Sequence, residues 1–176
     1  HLSGVEIVAA HLHHGQRQEA DEELAHAEAW AESLRIPFVK GYAQVPEIAK
    51  LRKVSLEEAG RIARHEFLHR AAREQELNVI ATGHTRDDHI ETILFHMARG
   101  TGLAGLRGIP WIRSPFVRPL RAFSRLETRN YCAEHGLWFH DDPSNTDLSF
   151  SRARLRARVV PELREVHPGF DAAIVR

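Results

Sequence analysis

Acidic side chains and a histidine gather in a short segment near the middle of the chain. His84, Asp87, Asp88 and Glu91 lie within eight residues of one another, directly after an apolar run. Ionised carboxylates pair with ammonium groups, and carboxylates or histidines transfer protons where their pKa values are tuned. Because Asp88 and Glu91 are three residues apart, an α-helix would place them on one shared face. The segment is therefore the strongest candidate for a ligand site in this sequence.

The flanking residues predict a strand, a sharp turn and a helix that would position these side chains. Residues 79–81, Val-Ile-Ala, are typical of a strand buried on both faces. Thr85 and Asp88 have the spacing of a capping box, and residues 99–102, Arg-Gly-Thr-Gly, predict the helix end. The acidic side chains would then lie at the carboxyl end of a strand, where open α/β sheets bind ligands. The apolar residues at helical spacing are Ile90, Ile93, Leu94 and Met97.

A purely structural interpretation accounts for the same acidic residues. Asp87 and Asp88 in the first turn of a helix would complement the helix dipole, and acidic first turns are common. Glu91 would then lie on a solvated face of the helix. The pattern alone leaves the functional and the structural interpretation open.

Composition excludes several classes of protein. The 176 residues are enough for one domain with a substantial core, and 24 basic residues balance 24 acidic ones, so no global basic field indicates nucleic-acid binding. Cys132 is the single cysteine, which excludes an intramolecular disulfide framework and fits a reducing compartment. No apolar run approaches the ~18 residues of a transmembrane helix, so we expect a cytoplasmic protein without membrane contact.

The remaining patterns predict strands and helices in alternation. This alternation indicates an α/β fold in which a parallel twisted sheet carries helices on both faces, in three layers α/β/α. A loop is predicted at residues 41–54, and the proline-containing residues 109–112 and 115–120 are predicted to be extended and at a sheet edge. The other predicted strands are residues 5–14, 36–40 and 137–140. The other predicted helices are residues 19–34, one that follows a capping box of Ser55 and Glu58, and one that follows a capping box of Ser124 and Glu127.

Three histidines end the first predicted strand. His11, His13 and His14 are of a residue type that binds metals. A strand would place His11 and His13 on one face and His14 on the other, which weakens that interpretation. We favour a strand-end loop with hydrogen-bonding histidines, and we predict no metal site.

Residues 150–164 hold an arginine-rich segment with the spacing of a helix. Leu155 and Val159 would lie on its apolar side, and Pro161 is expected to kink or end it. Four arginines in seven residues can neutralise phosphates, whereas on a solvated helix they would carry no function, and we favour the first interpretation. On two separate faces they form the pairs Arg152 with Arg156 and Arg154 with Arg158.

Several stretches, taken in order, resemble the motifs of one enzyme family. Residues 11–17, His-Leu-His-His-Gly-Gln-Arg, resemble His-Val-Asn-His-Gly-Leu-Arg, and residues 83–92 resemble Gly-His-x-x-Asp-Asp-Gln-Ala-Glu-Thr. The family is the catalytic domain of tRNA(Ile)-lysidine synthases, within the PP-loop ATP pyrophosphatase superfamily. The remaining resemblances are a Glu-Ala-Ala-Arg helix at 56–61 with Arg64, an Arg-Gly-Thr-Gly segment at 99–106, Asp-x-Ser-Asn at 142–145 and Arg-Asn-x-Ile-Arg at 152–156.

The resemblance implies an ATP-dependent carbon–nitrogen ligase. Such an enzyme adenylates the wobble cytidine of a tRNA(Ile) with a CAU anticodon, releases pyrophosphate and joins free L-lysine to form lysidine. ATP with Mg2+ is the implied cofactor, and tRNA(Ile) and free lysine are the implied partners. The assembly state is open, with a homodimer as one option.

The same resemblance assigns roles to individual residues. Those assigned to the lysine substrate are Asp88 and Glu91. Those assigned to catalysis are Asp87, Arg61 and Arg152. Those assigned to ATP are His84, Arg99 and Thr101. Those assigned to RNA are Arg154, Arg156 and Arg158.

The sequence departs from the family pattern in three respects. The family's Ser-Gly-Gly-x-Asp-Ser pyrophosphate loop does not occur in the 176 residues, and we expect it upstream of His1. A chain that truly lacked this loop is expected to be inactive, because the loop cradles pyrophosphate at a helix amino end. His89 stands where the family has Gln, and Ala153 where it has Asn. Carboxy-terminal tRNA-binding domains, which many family members carry, would follow Arg176.

We expect a PP-loop catalytic domain at residues 1–148 and an arginine-rich connecting helix and tail at 149–176. Two other functions are left open. One is a different PP-loop enzyme, such as a tRNA thiolase or an amidotransferase synthetase, although a lone Cys132 disfavours a thiolase with paired cysteines. The other is a non-catalytic fragment that binds RNA or a protein partner.

Overall fold

The computed structural model describes residues 4–15, 19–139 and 147–175, with the side chain of Glu19 outside that description. Backbone contacts divide the chain into two compact units, residues 1–80 and 81–176, and each is described by itself. No helix among the described residues is long and apolar enough to cross a membrane. The division at residues 148 and 149 that the sequence suggested stays a prediction.

Among its described residues, the first unit combines a two-stranded parallel sheet with three helices. Its strands pair in register from Ala9 with Phe38 to His13 with Tyr42, so the predicted parallel pairing is confirmed. Both strands begin later in the chain than predicted, and the first is shorter, whereas the second keeps its predicted length of five residues. The elements are β1 Ala9–His13, α1 Glu19–Ser33, β2 Phe38–Tyr42, α2 Val45–Arg52 and α3 Leu56–Glu74.

The core of the first unit lies between β1, β2 and the inner face of α3. Leu12 of β1 packs with three buried residues of α3. Gly41 of β2 lies so close to this cluster that a Cβ atom there would be 2.5 Å from Cε2 of Phe67. The close approach explains why a glycine stands within this strand. The buried residues of α3 in this cluster are Ala63, Phe67 and Ala71.

Residues 41–54 are not the predicted loop. They contain α2, with Pro46 in its first turn and Val45 fully buried. Proline is tolerated in the first turn of a helix, because its missing N–H would have no intrahelical partner there. The prediction treated Pro46 as a helix breaker when it marks a helix start. The following helix begins as predicted, with the Ser55 hydroxyl accepting the backbone N–H of Glu58 at 3.2 Å.

The second unit contains a three-stranded sheet and six helices among its described residues. The strands are β3 Ile80–Ala81, which spans the boundary between the units, β4 Ile112–Arg113 and β5 Phe116–Val117, in the order β3-β5-β4. β4 and β5 are antiparallel. The helices are α4 Arg86–Ala98, α5 Leu103–Leu106, α6 Arg125–Glu134, α7 Ser151–Arg154, α8 Val160–Val166 and α9 Phe170–Ile174, with a 3-10 turn at Pro119–Ala122 and a π turn at Leu155–Val159.

Three strand predictions in this unit were wrong. β5 is the middle strand rather than an edge strand, because Pro115 and Pro119 flank it and remove no hydrogen bond from its interior. Val79 precedes β3 and is 58% exposed, so residues 79–81 are not buried on both faces. Residues 137–139 form no strand, since they pair with no other strand in the described ranges, and His140 lies outside those ranges.

The arginine-rich segment is helical from Ser151 to Val166 and does not end at Pro161. A π turn precedes the proline, and the Val160 N–H bonds to the Leu155 carbonyl five residues back. This wider turn changes the angular position of every later residue relative to an unbroken α-helix. The buried residues of this segment are Ala153, which precedes the π turn, and Val160, which follows it, whereas Val159, predicted on the apolar side, is exposed.

Gly108 provides a test of packing in the second unit. Its φ is +57°, and a Cβ atom there would lie 2.7 Å from the His89 ring and 2.8 Å from Ile93 Cγ1. Both neighbours are buried, so neither can swing into solvent. We expect Gly108→Ala to lower the free energy of unfolding by ~2–4 kcal/mol, measured by chemical denaturation.

Gly136→Ala is the matched control. Gly136 also has a left-handed φ, +62°, but a Cβ atom there would meet nothing within 4 Å. Only the backbone strain applies, so a loss of about 1 kcal/mol is expected. Equal losses in the two variants would show that the contact with His89 carries no energy.

Candidate active site

The first turn of α4 carries the acidic residues and is closed by a capping box. The Thr85 backbone N–H donates to Asp88 Oδ2 at 2.7 Å, and Thr85 Oγ1 accepts the Asp88 backbone N–H. Thr85 Oγ1 also donates to Asp88 Oδ2 at 2.8 Å. The predicted capping box is confirmed. Because Thr85 holds Oδ2, the orientation of the Asp88 carboxylate is fixed, and Oδ1 takes no part in the capping box.

Arg125, the first residue of α6, contacts the two acidic side chains of this turn and Glu91 of the next turn. Its backbone N–H donates to Asp87 Oδ2 at 2.7 Å. Its guanidinium donates from Nη2 to Asp88 Oδ1 at 3.0 Å and from Nη1 to Glu91 Oε1 at 3.4 Å. The sequence analysis missed Arg125, although it recognised the Ser124 and Glu127 capping box that fixes the start of α6.

Glu91 is buried, with 1% of the residue exposed. Arg156 of the π turn binds it through two parallel bonds, from Nε to Oε1 at 2.7 Å and from Nη2 to Oε2 at 3.1 Å. The hydrogen bond with Glu91 raises the pKa of Arg156, against the opposing effect of burial. The interpretation of Glu91 as a solvated residue was therefore wrong, because this carboxylate is buried and binds guanidinium groups from residues distant in the sequence.

Asp87 is held from two sides. Its Oδ1 accepts a bond of 3.0 Å from Arg164 Nη2 of α8, which also binds Asp171 of α9. Burial would raise the pKa of Asp87, but the Arg125 backbone N–H and the Arg164 guanidinium outweigh it and hold the pKa below its usual value. Asp87 is therefore ionised at neutral pH.

Two of the predicted arginines meet at one aromatic ring. The guanidinium carbon of Arg99 lies 5.2 Å from the centroid of Phe95, and that of Arg152 lies 5.8 Å from it. Nearby in sequence, Thr101 Oγ1 donates to the Gly102 carbonyl at 3.2 Å. Two guanidinium groups at one ring provide the positive charge and the donors that an anion requires.

The other two arginines of this segment are exposed. Arg154 and Arg158 lie at the surface, whereas Arg152 and Arg156 are partly buried and lie against Phe95 and Glu91 of α4. This separation into two faces agrees with the predicted helical spacing.

His84 and His89 have different surroundings. His84 Nδ1 lies 2.9 Å from Thr82 Oγ1 at the start of the turn. His89, where the family has Gln, accepts the Ile109 backbone N–H at Nδ1 over 2.9 Å, and Arg121 Nη2 lies 2.9 Å from its Nε2. Burial, followed by the charge of Arg121, lowers the pKa of His89. His89 is therefore a neutral packing residue that fixes the segment after Gly108.

Arg61, a predicted catalytic residue, and His14, of the first predicted strand, lie in the first unit. Arg61 binds the Glu58 carboxylate through Nε at 2.8 Å and Nη2 at 2.6 Å, and this bond raises its pKa against burial. His14 Nε2 lies 3.3 Å from Arg64 Nη2. Burial, then the charge of Arg64, lowers the pKa of His14 to about 4. Within the described ranges, no three His, Cys, Asp or Glu side chains are placed to hold a metal ion.

Some quoted motif residues lie outside the described ranges. They are Gln16, Arg17 and residues 142–145.

Comparison with known proteins agrees with the motifs. A family model described as a PP-loop domain matches residues 1–163. The chain is similar to proteins named tRNA(Ile)-lysidine synthase: 36% identical over 171 residues to that of Thermosipho africanus, 40% over 174 residues to that of Thermus thermophilus and 33% over 173 residues to that of Petrotoga mobilis. These alignments cover 97–99% of this chain and 40%, 34% and 56% of the respective relatives. The chain thus spans roughly a third to just over a half of their length.

A solved structure shares the fold. The U34-tRNA thiolase NcsA from Methanococcus maripaludis, solved with its [4Fe-4S] cluster, superposes with a TM-score of 0.76 over 96% of this chain and 60% of the other, at 20% identity. This similarity and the match to the PP-loop domain confirm the predicted α/β fold class.

The ion pair between Arg156 and Glu91 should carry a large share of the stability of the second unit. In Arg156→Ala, the guanidinium contacts described for Glu91 are reduced to the 3.4 Å contact from Arg125. We expect the free energy of unfolding to fall by ~2–4 kcal/mol, because a buried carboxylate loses its two strongest bonds. Arg158→Ala, an exposed arginine two residues on, is the control and should change it by less than about 0.5 kcal/mol. Similar effects of the two substitutions would contradict this assignment.

The first unit should lose stability in mild acid. Because the pKa of His14 is about 4 in the folded chain and ~6.5 in an unfolded one, the unfolded state binds more protons between these values. The free energy of unfolding should therefore fall as the pH is lowered from 7 towards 4.5. His14→Gln should flatten this dependence without abolishing it, since burial also lowers the pKa of His11. An unchanged slope in denaturation measured across this pH range would exclude the role of His14.

Proposed function

The chain belongs to the PP-loop domain family, and from this membership we propose that its protein is an ATP-dependent ligase that modifies tRNA(Ile). In the proposed reaction, the wobble cytidine of a tRNA with a CAU anticodon is adenylated and pyrophosphate leaves. The amine of free lysine then forms a carbon–nitrogen bond at the activated carbon, AMP leaves, and lysidine results. One observation carries the proposal: relatives 33–40% identical over nearly the whole chain are named tRNA(Ile)-lysidine synthase.

Asp88 and Glu91 are the proposed binding residues for lysine. The side chain of Asp88 is 23% exposed, and its Oδ1 accepts a bond from Arg125. A carboxylate oxygen can accept more than one bond, so Oδ1 has capacity for an ammonium group. Glu91 is buried and already binds two guanidinium groups. We therefore propose that Asp88 contacts the lysine directly and that a contact with Glu91 requires Arg156 to shift.

Asp87 acts through its charge in this proposal. Its pKa lies below the usual value and both of its oxygens accept bonds, from Arg125 and Arg164. A carboxylate of this kind is a weak base and is not a proton donor at neutral pH. Its proposed catalytic contribution is to stabilise positive charge beside Asp88.

Arg99 and Arg152 are the proposed partners of the ATP phosphates, together with Thr101 and His84. The convergence of two guanidinium groups at Phe95 fits a polyanion, because such groups bind phosphate oxygens through paired N–H donors. ATP supplies the adenylate that makes the cytidine carbon reactive. Mg2+ fits best as an ion that arrives with the nucleotide phosphates, a common arrangement for this ion, since no triad of metal-binding side chains occurs within residues 4–15, 19–139 and 147–175.

Arg154 and Arg158 are the proposed contacts to the tRNA backbone. Both are exposed, which suits the neutralisation of phosphates. Arg156, also assigned to RNA, would first have to exchange Glu91 for a phosphate. Arg61 remains a proposed catalytic residue, and any role at a substrate requires release of its bonds to Glu58.

The remaining proposals concern the protein as a whole. We propose a cytoplasmic enzyme, with a homodimer as one assembly state and the arginine-rich segment from residue 149 onwards as a connecting element. A thiolase resembling the structural neighbour is disfavoured, because the 176 residues contain one cysteine and iron–sulfur clusters are usually held by several. A non-catalytic fragment is the alternative that an assay of the natural full-length protein excludes or supports.

Incorporation of labelled lysine into unmodified tRNA(Ile) tests the proposal. Asp88→Asn keeps the shape of the side chain and removes its charge, so we expect the KM for lysine to rise about tenfold or more. The matched control is Asp147→Asn, an exposed aspartate that binds the Ser149 backbone. It should leave the KM unchanged. Lysine transfer at the wild-type KM in Asp88→Asn would refute the site, and no transfer by the wild type would refute the function.

A further inference from the structure

We propose that Arg125 is a positioning residue of the lysine site, which holds the Asp88 and Glu91 carboxylates in the orientation that an ammonium group requires. The inference rests on the proposed function and adds to it a residue from outside the acidic motif. Arg125 lies on α6, 34 residues beyond Glu91 and 37 beyond Asp88. It would act on the substrate through these carboxylates.

Arg125 contacts all three acidic residues of the α4 motif. Arg156 binds Glu91, and Arg164 binds Asp87 within this turn. Arg125 bonds to Asp87 through its backbone and to Asp88 and Glu91 through its guanidinium. It is therefore the group that joins the two proposed lysine-binding carboxylates to each other.

The carboxylates of Asp88 and Glu91 repel each other because they lie three residues apart on a helix, and the Arg125 guanidinium offsets this repulsion. Carboxylates that repel turn apart or take up protons, and either response weakens an ammonium site. A planar guanidinium donates in fixed directions, so one group can orient two carboxylates at once. With Oδ2 of Asp88 held by Thr85 and Oδ1 by Arg125, the carboxylate is oriented before a ligand arrives.

The charge of the connected side chains also suits one cation. Among the described residues, the contacts named above join four carboxylates to three guanidinium groups, whose formal charges sum to one negative unit. A single ammonium group on lysine would neutralise it, and Asp88 is the member through which solvent reaches the proposed lysine-binding pair. The four carboxylates belong to Asp87, Asp88, Glu91 and Asp171, and the guanidinium groups to Arg125, Arg156 and Arg164.

Substitution of Arg125 removes the contacts of its side chain and keeps the contact of its backbone. The bond from the Arg125 backbone N–H to Asp87 survives any replacement other than proline, so the start of α6 keeps this attachment to α4. The loss in Arg125→Ala is confined to the contacts with Asp88 and Glu91, and Glu91 keeps its paired bonds to Arg156. The fold should therefore persist.

Steady-state kinetics of the natural full-length protein test the proposal. In Arg125→Ala, we expect the KM for lysine to rise about tenfold or more while the KM for ATP changes by less than about threefold. Arg125→Lys keeps the positive charge but loses the planar pair of N–H donors, so its KM for lysine should lie between those of the wild type and Arg125→Ala. The matched control is Arg86→Ala, because Arg86 also links α4 to α6, through Glu127, without contacting the three carboxylates.

The outcomes separate the two proposals. A raised lysine KM in Arg125→Ala, partial recovery in Arg125→Lys and a normal value in Arg86→Ala support the role of Arg125. An unchanged lysine KM, equal rises for lysine and ATP, or the same rise in Arg86→Ala overturn it. If Asp88→Asn impairs lysine use and Arg125→Ala does not, the proposed function stands and this inference fails. If Arg125→Ala does not fold, Arg125→Lys decides by the same criteria, and a wild type that uses no lysine overturns both.

Discussion

A buried carboxylate, Glu91, imposes the constraint on which the second unit depends. An ionised group removed from water is costly unless opposite charges and hydrogen bonds replace its hydration. Arg156 supplies two bonds from 65 residues further along the chain, and Arg125 supplies a third from 34 residues away. Because both arginines must reach one carboxylate on α4, the positions of α6 and of the π turn are tied to it.

The neighbouring carboxylates extend the same principle. Asp87 is 77 residues from Arg164, and their bond attaches α8 to the first turn of α4. Asp171 of α9 binds the same guanidinium. The helical segments after Ser151 therefore contact the acidic part of α4 at two points, through Arg164 at Asp87 and through Arg156 at Glu91. A single helical turn therefore organises contacts with elements that are distant in sequence. Hydrophobic burial of Ile90 and Ile93 on the same helix supplies the non-directional part of this packing.

The sequence analysis correctly predicted features that depend on residues close together in the sequence. The Thr85 and Ser124 capping boxes span three residues each, so spacing alone identified them. Pro46 misled the prediction of α2, because its residue type is compatible both with a loop and with a first helical turn. Pro161 does not end the arginine-rich segment as one form of the prediction had it, and a π turn lies directly ahead of it.

The candidate site was located from the sequence, whereas its partners were not. The position of Asp88 and Glu91 on one face of a helix followed from helical periodicity. Arg125 could not be identified, because any of the 24 basic residues could have been the partner of a buried acid. The burial of Glu91 could not be predicted either, because a glutamate at this helical position is solvated unless another element covers it.

The acidic turn serves both the fold and the proposed chemistry, and exposure separates these tasks. Glu91 lies deep and binds Arg156, whereas Asp88 is reached by solvent. The helical segment that begins at Ser151 then presents Arg156 inward to Glu91 and Arg158 outward. In the proposed enzyme, carboxylates for the lysine and arginines for the RNA therefore lie on two sides of one ion pair. Its strength sets how firmly the RNA-facing helix is held beside the lysine site.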